Sequence, residues 1–560
     1  MTDPVTDTPG AVTEAPGSMT DNSGRPVVER LRGSRLLRDN LGVAAGTGLS
    51  RITGVARFAA LYFAAGPALR DAYVLANNTP NIIYELLLGG ILTTTLVPLF
   101  TDQLMHDDDD ATSAVVSVAI VCLGALTLLT LLAGPLLILL YGTNPGKGVD
   151  ASDFRQVGIT LALLFAPQVF FYGLMALGTA LLNARRHFIA AAWAPVLNNV
   201  VVIAILVAVG ALDIGGDEPL SKVRHHGGLL LLLGLGTTAG IVAMSVALLP
   251  PLRRAGVRIR FRPDWRHPGV RRALVLSGWT IGYVIANQIA AQTVAVLAKP
   301  GSGNVTNYNV AFMFFQLPHG LLAVSLMTTF QPDLARSAVH RDWSSFNTRL
   351  LLGLRLLYLV VVPAAIGYLV LTLGVGGAAQ ASGELTGGAA LPVARILGGF
   401  ALGLIGFSTY LFVLTAFYAM QDTRTPFLLN CVENVINIVL AVVLVRHFGV
   451  VGLAVSYAVA YTVAAALSLT VLLRRNAGFD VGGLLGSIAK VVAAGVLMAA
   501  LVLLVVAVLP TSTAVELAIA TGVAIVVGVL VYGGSVIALG VPGTLGMAWP
   551  RRAAADTPNP

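Results

Sequence analysis

Four ionisable side chains stand where a membrane-spanning chain rarely carries them. Arg51 and Arg57 lie in GVAAGTGLSRITGVARFAALYFAAG, a stretch otherwise small or apolar. Asp71 opens the next apolar segment, and Glu85 falls near the middle of ANNTPNIIYELLLGGILTTTLVPLF. A charge at the bilayer centre costs about 3 kcal/mol on insertion scales, so such groups persist only facing one another, water or a charged ligand. The chemistry open to them is recognition. A guanidinium presents a planar fork of N–H donors, a geometry suited to phosphate. Two arrangements satisfy these residues: an internal network joining Arg51 or Arg57 to Asp71 or Glu85, or a site for an anionic ligand. A cavity holding both signs can do each in turn.

The segments that position these groups have readable faces. On a helix, Ser50, Gly54 and Arg57 share one side, with Arg51 displaced by about 100°. Gly42, Gly46, Gly48 and Gly54 allow that helix to pack closely or bend. In the next helix Asn77, Asn81, Glu85, Gly89 and Thr93 recur every four residues, a polar stripe on an otherwise apolar rod. Further along stand Asn287, Gln288 and Gln292, then Asn309, Gln316 and His319, then Glu433, Asn434 and Asn437. Hydrogen bonds between helices account for amides of this kind, and Glu433 reads as a packing or gating contact. There is no P-loop, no metal-ligand spacing and no nucleophile–base pair, so neither enzyme chemistry nor a cofactor is expected. Cys122 and Cys431 are single residues in apolar runs, expected as core residues without disulfide or metal.

Composition sets the class. The chain is 56% hydrophobic and 11% charged, where soluble domains carry roughly 25% charged residues. It reads as an integral membrane protein of all-α, polytopic architecture, with about 14 transmembrane helices of roughly 20 residues or more. The expected spans are 41–66, 72–102, 112–141, 157–182, 188–212, 228–250, 272–298, 306–333, 350–376, 391–419, 427–446, 449–473, 484–509 and 514–540. The net charge of +8 comes mostly from arginines in short loops. Such residues orient a membrane protein, and their dispersal makes nucleic acid a poor partner. Arg185–Arg186, the run from Arg253 to Arg272, Arg336, Arg341, Arg349, Arg424, Arg474–Arg475 and Arg551–Arg552 all follow even-numbered spans. GTNPGKGVDASD and QASGELTGG follow odd ones and are poor in arginine. Both termini are therefore expected in the cytoplasm.

Residues 1–38 read as a disordered cytoplasmic tail, with no cleaved signal peptide. A six-helix lobe over 39–252, a basic linker over 253–271 and a second six-helix lobe over 272–475 follow. Residues 476–543 add two helices outside the repeat, and 544–560 form a second tail. The halves share a plan: Thr94-Thr95-Leu96-Val97-Pro98 closes the second span and Thr328-Thr329-Phe330-Gln331-Pro332 the eighth. Two such bundles around a central cavity are the architecture of an alternating-access transporter.

Ser50-Arg51-Ile52-Thr53-Gly54-Val55-Ala56-Arg57, Asp71-Ala72, Pro80-Asn81 and Val97-Pro98 resemble the opening of the MurJ (MviN) family of lipid II flippases. Leu182-Asn183 through Phe188, Pro195 to Asn199, and Phe417-Tyr418 with Gln421-Asp422-Thr423-Arg424-Thr425-Pro426 continue the match over about residues 40–540. The resemblance implies the multidrug and polysaccharide exporter superfamily, two lobes forming a V-shaped cavity, and fourteen spans. It also implies transport of undecaprenyl-pyrophosphate-linked peptidoglycan precursor across the cytoplasmic membrane. By position it implies Ser50, Arg51, Arg57 and Asp71 as cavity residues; Asn81 and Glu85 join them from the polar stripe. Tyr84 and Met313 stand where the family often has arginine, leaving pyrophosphate mainly to Arg51 and Arg57. The tail of the lipid is expected to stay in the bilayer, and the coupling ion is not readable. The alternatives are an ion-coupled drug or polysaccharide-lipid exporter, whose cavity would be rich in carboxylates, and a membrane scaffold for cell-wall synthesis proteins.

Overall fold

With no water to satisfy backbone N–H and C=O groups, a lone apolar segment must close its hydrogen bonds within itself, and helix is the form that does so. The computed structural model describes residues 27–88, 97–106, 108–185, 187–213, 218–266, 278–382, 390–476, 478–509 and 514–541, and among these there is no strand. The rods of the first lobe are α1 (Val27–Ala64), α2 (Pro67–Leu88), α3 (Asp109–Tyr141), α4 (Ala151–Ala184), α5 (Phe188–Ala211) and α6 (Gly227–Arg254). The second lobe begins with α7 (Gly278–Leu297), α8 (Asn304–Val339), α9 (Trp343–Ser382) and α10 (Ala390–Ala401 with Leu404–Ala419), whose two pieces are bent by 50°.

The next helix, Arg424–Arg475, has 52 residues. At 1.5 Å per residue it would measure about 78 Å if straight, more than twice the hydrocarbon thickness. It folds back instead. Gly449 takes φ 57° and ψ −141° inside it. A Cβ on Gly452 would stand 2.4 Å from the Leu444 carbonyl oxygen, and Ser456 donates to Asn437 Oδ1 over 3.1 Å. Residues 424–448 and 449–475 are thus two antiparallel rods, α11 and α12, joined with almost no loop. Then come α13 (Val481–Val508) and α14 (Ala514–Ala538).

Nine described helices are long and apolar enough to cross a membrane, ten with the bent α10. Dividing Arg424–Arg475 and adding α1, α2 and α7 gives the fourteen expected rods. One expectation needs correction: residues 27–38 are helical, because α1 begins at Val27 rather than after the tail.

Packing follows the sequence faces. In the first lobe α1 lies along α5, α5 along α6, and α4 against α2, α3 and α6. Gly46 lets α1 and α5 touch, since a Cβ there would come within 2.7 Å of the Trp193 ring. Phe154, Phe165, Tyr73 and Tyr141 fill the lobe's centre. The second lobe is built on an aromatic core in which Phe312, Phe315, Phe400, Phe407 and Tyr457 pack at ring-centroid distances of 5.2–6.0 Å along Phe315 and its neighbours. The last two rods pack on α9: Ile366 fills the space over Gly495, and the Tyr532 hydroxyl donates to the Leu359 carbonyl over 2.6 Å. The lobes meet chiefly where α2 contacts α7 and α8.

Candidate functional site

Among the described residues, three cavities with polar linings follow the seam between the lobes, beside a largely apolar fourth between α2, α3 and α7. The first, of about 300 Å³, is lined by Ser50, Arg51 and Gly54 of α1, Pro195 of α5, and Met313 and Leu317 of α8. A second, of about 130 Å³, holds Arg57 of α1 with Asn77, Asn78 and Asn81 of α2 and Asn309 of α8. The third, of about 320 Å³, is shared by Asn78 of α2, Asn287 and Gln288 of α7, Asn309 and Tyr308 of α8, Glu433 and Asn434 of α11, and Tyr457 and Tyr461 of α12. Asn78 and Asn309 border both the second and the third.

Local structure explains how α1 presents its arginines. The Asn199 amide on α5 donates to the Ser50 carbonyl over 3.1 Å and to Thr53 Oγ1 over 3.0 Å, fixing the rotation of α1 at that turn. Opposite Arg51, α8 passes through five residues of π-helix, His319–Ala323. Such single turns widen a helix locally and recur at functional sites. A Cβ on Gly320 would stand 3.7 Å from Arg51 Nη2, so the glycine leaves the guanidinium room. His319 itself is buried and turned to Ser408 Oγ at 3.1 Å, a packing contact.

Among the described residues neither Arg51 nor Arg57 has a carboxylate within ion-pair distance; Arg57 lies over the Phe58 ring, 5.6 Å from its centre. Asn77 Oδ1, in the Arg57 cavity, is buried without a hydrogen bond. Among the described residues, each guanidinium thus carries N–H donors into a cavity that no carboxylate lines. Met313 stands in the Arg51 cavity, where an additional cation would have made the site more positive.

Ser50, Arg51, Arg57 and Asn81 are brought to the seam. Asp71 is not. Its carboxylate is fully buried at the other end of α2 and accepts four hydrogen bonds from the second lobe. Gly301 N and Gly303 N donate to Oδ2 at 3.0 and 2.8 Å; Thr306 N and Oγ1 donate to Oδ1 at 2.9 and 2.8 Å. The reason is the α8 N-terminus. Its first N–H groups lack helical partners and its dipole favours an anion, and Asp71 supplies one across the lobe boundary. Asp71 pairs with neither arginine of the seam, so it is not the carboxylate of the internal network that was one of the two arrangements open to these residues. The side chain of Glu85 and residues 89–96 of the polar stripe lie outside the described residues.

Around Asp71 the lobes are stitched further. Gly146 N donates to the Pro300 carbonyl over 2.8 Å, Asn144 Nδ2 to the Val296 carbonyl over 3.1 Å, and Tyr62 OH to Asn307 Oδ1 over 2.5 Å. Tyr141 OH also donates to Gln292 Oε1. These bonds gather at the end bearing the loops after α1, α3 and α7.

Asn309 and Asn78 are the lining residues that sequence placed least well. Asn78 stands one position off the four-residue stripe, and only its side-by-side placement with Asn77 and Asn81 on a curved seam makes it a lining residue. Glu433 was visible as a charge but not as a cavity group.

Two lobes sharing one seam, with guanidinium groups in it that lack a carboxylate partner among the described residues and a closed seal at one end, have the build of a polytopic membrane transporter. A solved lipid II flippase MurJ in an inward closed conformation is similar over 88% of this chain and 97% of its own, with TM-score 0.68 and 20% identity. An inward-facing multidrug resistance MATE family transporter of the MOP superfamily is similar over 77% of this chain and 95% of its own, with TM-score 0.59 and 13% identity. These likenesses fix the fold. The family model for lipid II flippase MurJ matches residues 59–528, and the chain belongs to that family. A lipid II flippase MurJ of Burkholderia cenocepacia is 28% identical over 400 residues, covering 70% of this chain and 75% of its own. A probable lipid II flippase MurJ of Rhizobium meliloti is 28% identical over 458 residues, covering 80% of this chain and 83% of its own.

Proposed function

We propose that this protein carries lipid II, the undecaprenyl-pyrophosphate-linked peptidoglycan precursor, across the cytoplasmic membrane. Membership of the MurJ family supports the cargo. The single structural observation that carries the reading is the pair Arg51 and Arg57, set in consecutive cavities of the seam without a carboxylate partner among the described residues. Pyrophosphate is the part of the cargo that matches them, because its oxygens accept the paired donors of a guanidinium fork. The headgroup occupies the seam while the isoprenoid tail stays in the bilayer.

In this reading both termini are cytoplasmic, as the arginine distribution supports. The Asp71 seal then lies on the outer side, and the Arg51 cavity toward the cytoplasm where the precursor is made. Binding of the headgroup draws the lobes together around the arginines, the outer seal parts, and the headgroup leaves outward. No bond in the cargo is made or broken, so the protein is a carrier rather than an enzyme. Serving cell-wall synthesis, it would stand beside enzymes that use the delivered precursor.

Glu433 in the third cavity is the observation that favours a second reading, an ion-coupled exporter of another solute. Depletion of the protein in growing cells, followed by measurement of precursor on each membrane leaflet, separates the two. Accumulation on the inner leaflet is the expected outcome. An unchanged leaflet distribution, with altered resistance to drugs, would replace the first reading by the second.

A further inference from the structure

The chamber that holds Arg57 offers more than a partner for an anion. Its floor is apolar: Leu61 of α1 and Leu206 of α5 are buried at 2% and 0% exposure, with Phe58 and Val74 beside them. Tyr73 also lines it, but the Tyr73 hydroxyl is engaged with Thr237 Oγ1 at 2.8 Å. Its rim consists of partly exposed amides, Asn77, Asn78 and Asn81 of α2 and Asn309 of α8. Two of these are held by their own helices. Asn81 Nδ2 donates to the Asn77 carbonyl over 3.2 Å, and Asn309 Nδ2 to the Val305 carbonyl over 2.8 Å. Each keeps an oxygen and a second N–H to offer. Asn77 Oδ1 is buried and receives no hydrogen bond. A buried acceptor left without a donor is costly, so a ligand that brings one is favoured there.

The arrangement suits one chemical group. An acetamido substituent presents an N–H donor, a carbonyl acceptor and a small apolar cap. The N–H satisfies Asn77 Oδ1, the carbonyl takes an N–H from Asn81 or Asn309, and the methyl group rests against Leu61 and Leu206. A hydroxyl in its place serves Asn77 but leaves the apolar floor uncovered. A carboxylate would set its lone pairs against Asn77 Oδ1. The chamber, of about 130 Å³, has room for such a group. The adjoining cavity of about 320 Å³, which shares Asn78 and Asn309, has room for the ring that carries it.

We propose that this chamber is an acetamido subsite: it takes the N-acyl group of an amino sugar whose pyrophosphate lies on Arg57. The site rests on the carrier reading above for its pyrophosphate neighbour, and the second measurement below does not depend on that neighbour. Pyrophosphate is common to every isoprenyl-pyrophosphate sugar, so the arginines alone accept all of them. The amide rim and the apolar floor select among them.

The test uses the full-length purified protein in detergent. Two short-chain isoprenyl pyrophosphates, one carrying N-acetylglucosamine and the other glucose, are titrated against it. The wild type is expected to bind the acetamido probe about ten- to a hundredfold more tightly, the combined worth of a hydrogen bond and a methyl contact. N77L should bring that ratio near one at an unchanged or raised thermal midpoint, because it removes a buried acceptor that lacks a donor. The second measurement times methanethiosulfonate labelling of V74C, at the chamber wall, in a C122A/C431A background. Excess methyl N-acetylglucosaminide should slow the labelling, and methyl glucoside should not. Equal affinity for the two pyrophosphate probes, a preference that survives N77L, or equal labelling under both free sugars would overturn the subsite. If the acetamido sugar protects V74C while neither pyrophosphate probe binds, the carrier reading fails and the subsite stands.

Discussion

Replacing Asp71 by asparagine separates a seal from a binding site. The four hydrogen bonds to its carboxylate include three from backbone N–H groups, at 2.8, 2.9 and 3.0 Å. Asparagine keeps one acceptor oxygen and turns an N–H₂ toward donors. Whichever way the amide faces, two donors lose their acceptor. Hydrogen bonds to a charged group are worth about 1.5–3 kcal/mol each, and breaking a buried charged contact costs roughly 3–5 kcal/mol. The site is fully buried, so solvent screening does not discount this. At 1.4 kcal/mol per factor of ten, D71N should shift the balance away from the outside-closed state by roughly 10²–10³-fold. Spin labels at the exposed positions Lys147 and Ser302 straddle the seal, one on each lobe. Their distance distribution should be short and narrow in the wild type and gain a longer component in D71N. Flipping should fall, because the carrier no longer returns efficiently to the cytoplasm-facing state. An unchanged distance distribution in folded D71N, with weaker headgroup binding, would refute the seal and return Asp71 to the ligand site expected from sequence.

Other outcomes follow from the same geometry. Arg57→Ala and Arg51→Ala should each abolish most flipping at normal membrane levels, and Arg→Lys should restore little, because lysine keeps the charge but loses the planar fork; full activity in both alanine variants removes the pyrophosphate site. Gly449→Ala should destabilise the protein by about 1–3 kcal/mol, since φ 57° with ψ −141° is a conformation an L side chain resists; a thermal unfolding scan in detergent checks this. Asp422, in the turn before α11, is subject to burial, which raises its pKa, but hydrogen bonds from Thr425 and Arg475 outweigh this and hold it below the usual carboxylate value. Its contribution is therefore present above the unfolded pKa of about 4 and is lost as pH falls through the lower folded value. Asp422→Asn should cost no more than about 1 kcal/mol at neutral pH for this partly exposed pair, and the difference from wild type should vanish in strong acid.

How much of this was legible differs by residue. The rods were readable because they are apolar runs broken by charged or turn-forming residues, and the α11–α12 division fell at Gly449 as expected between 446 and 449. The start of α1 was missed because Val27–Arg38 is too polar to look like a span, although its leucines and arginines suit a helix. Arg51, Arg57 and Asn81 were legible because a membrane leaves unpaired polar groups few places to go. Asp71 obeyed the same rule by another route: its partners are backbone amides about 230 residues away, and backbone donors leave no mark in composition. For Glu433 the charge was plain, but its isolation arises from neighbours that spend their hydrogen bonds on each other.

The hairpin at Gly449 has a mechanical consequence. Two rods joined without a slack loop, and pinned by Ser456 to Asn437, cannot slide past one another. They turn as a single stiff lever, with Glu433 on one arm and Tyr457 and Tyr461 on the other. In the cycle proposed above, these aromatic rings would accompany Glu433, while the wall formed by α2 would move relative to it. What would change around this carboxylate is therefore the position of the opposite lobe, not its own arm of the hairpin.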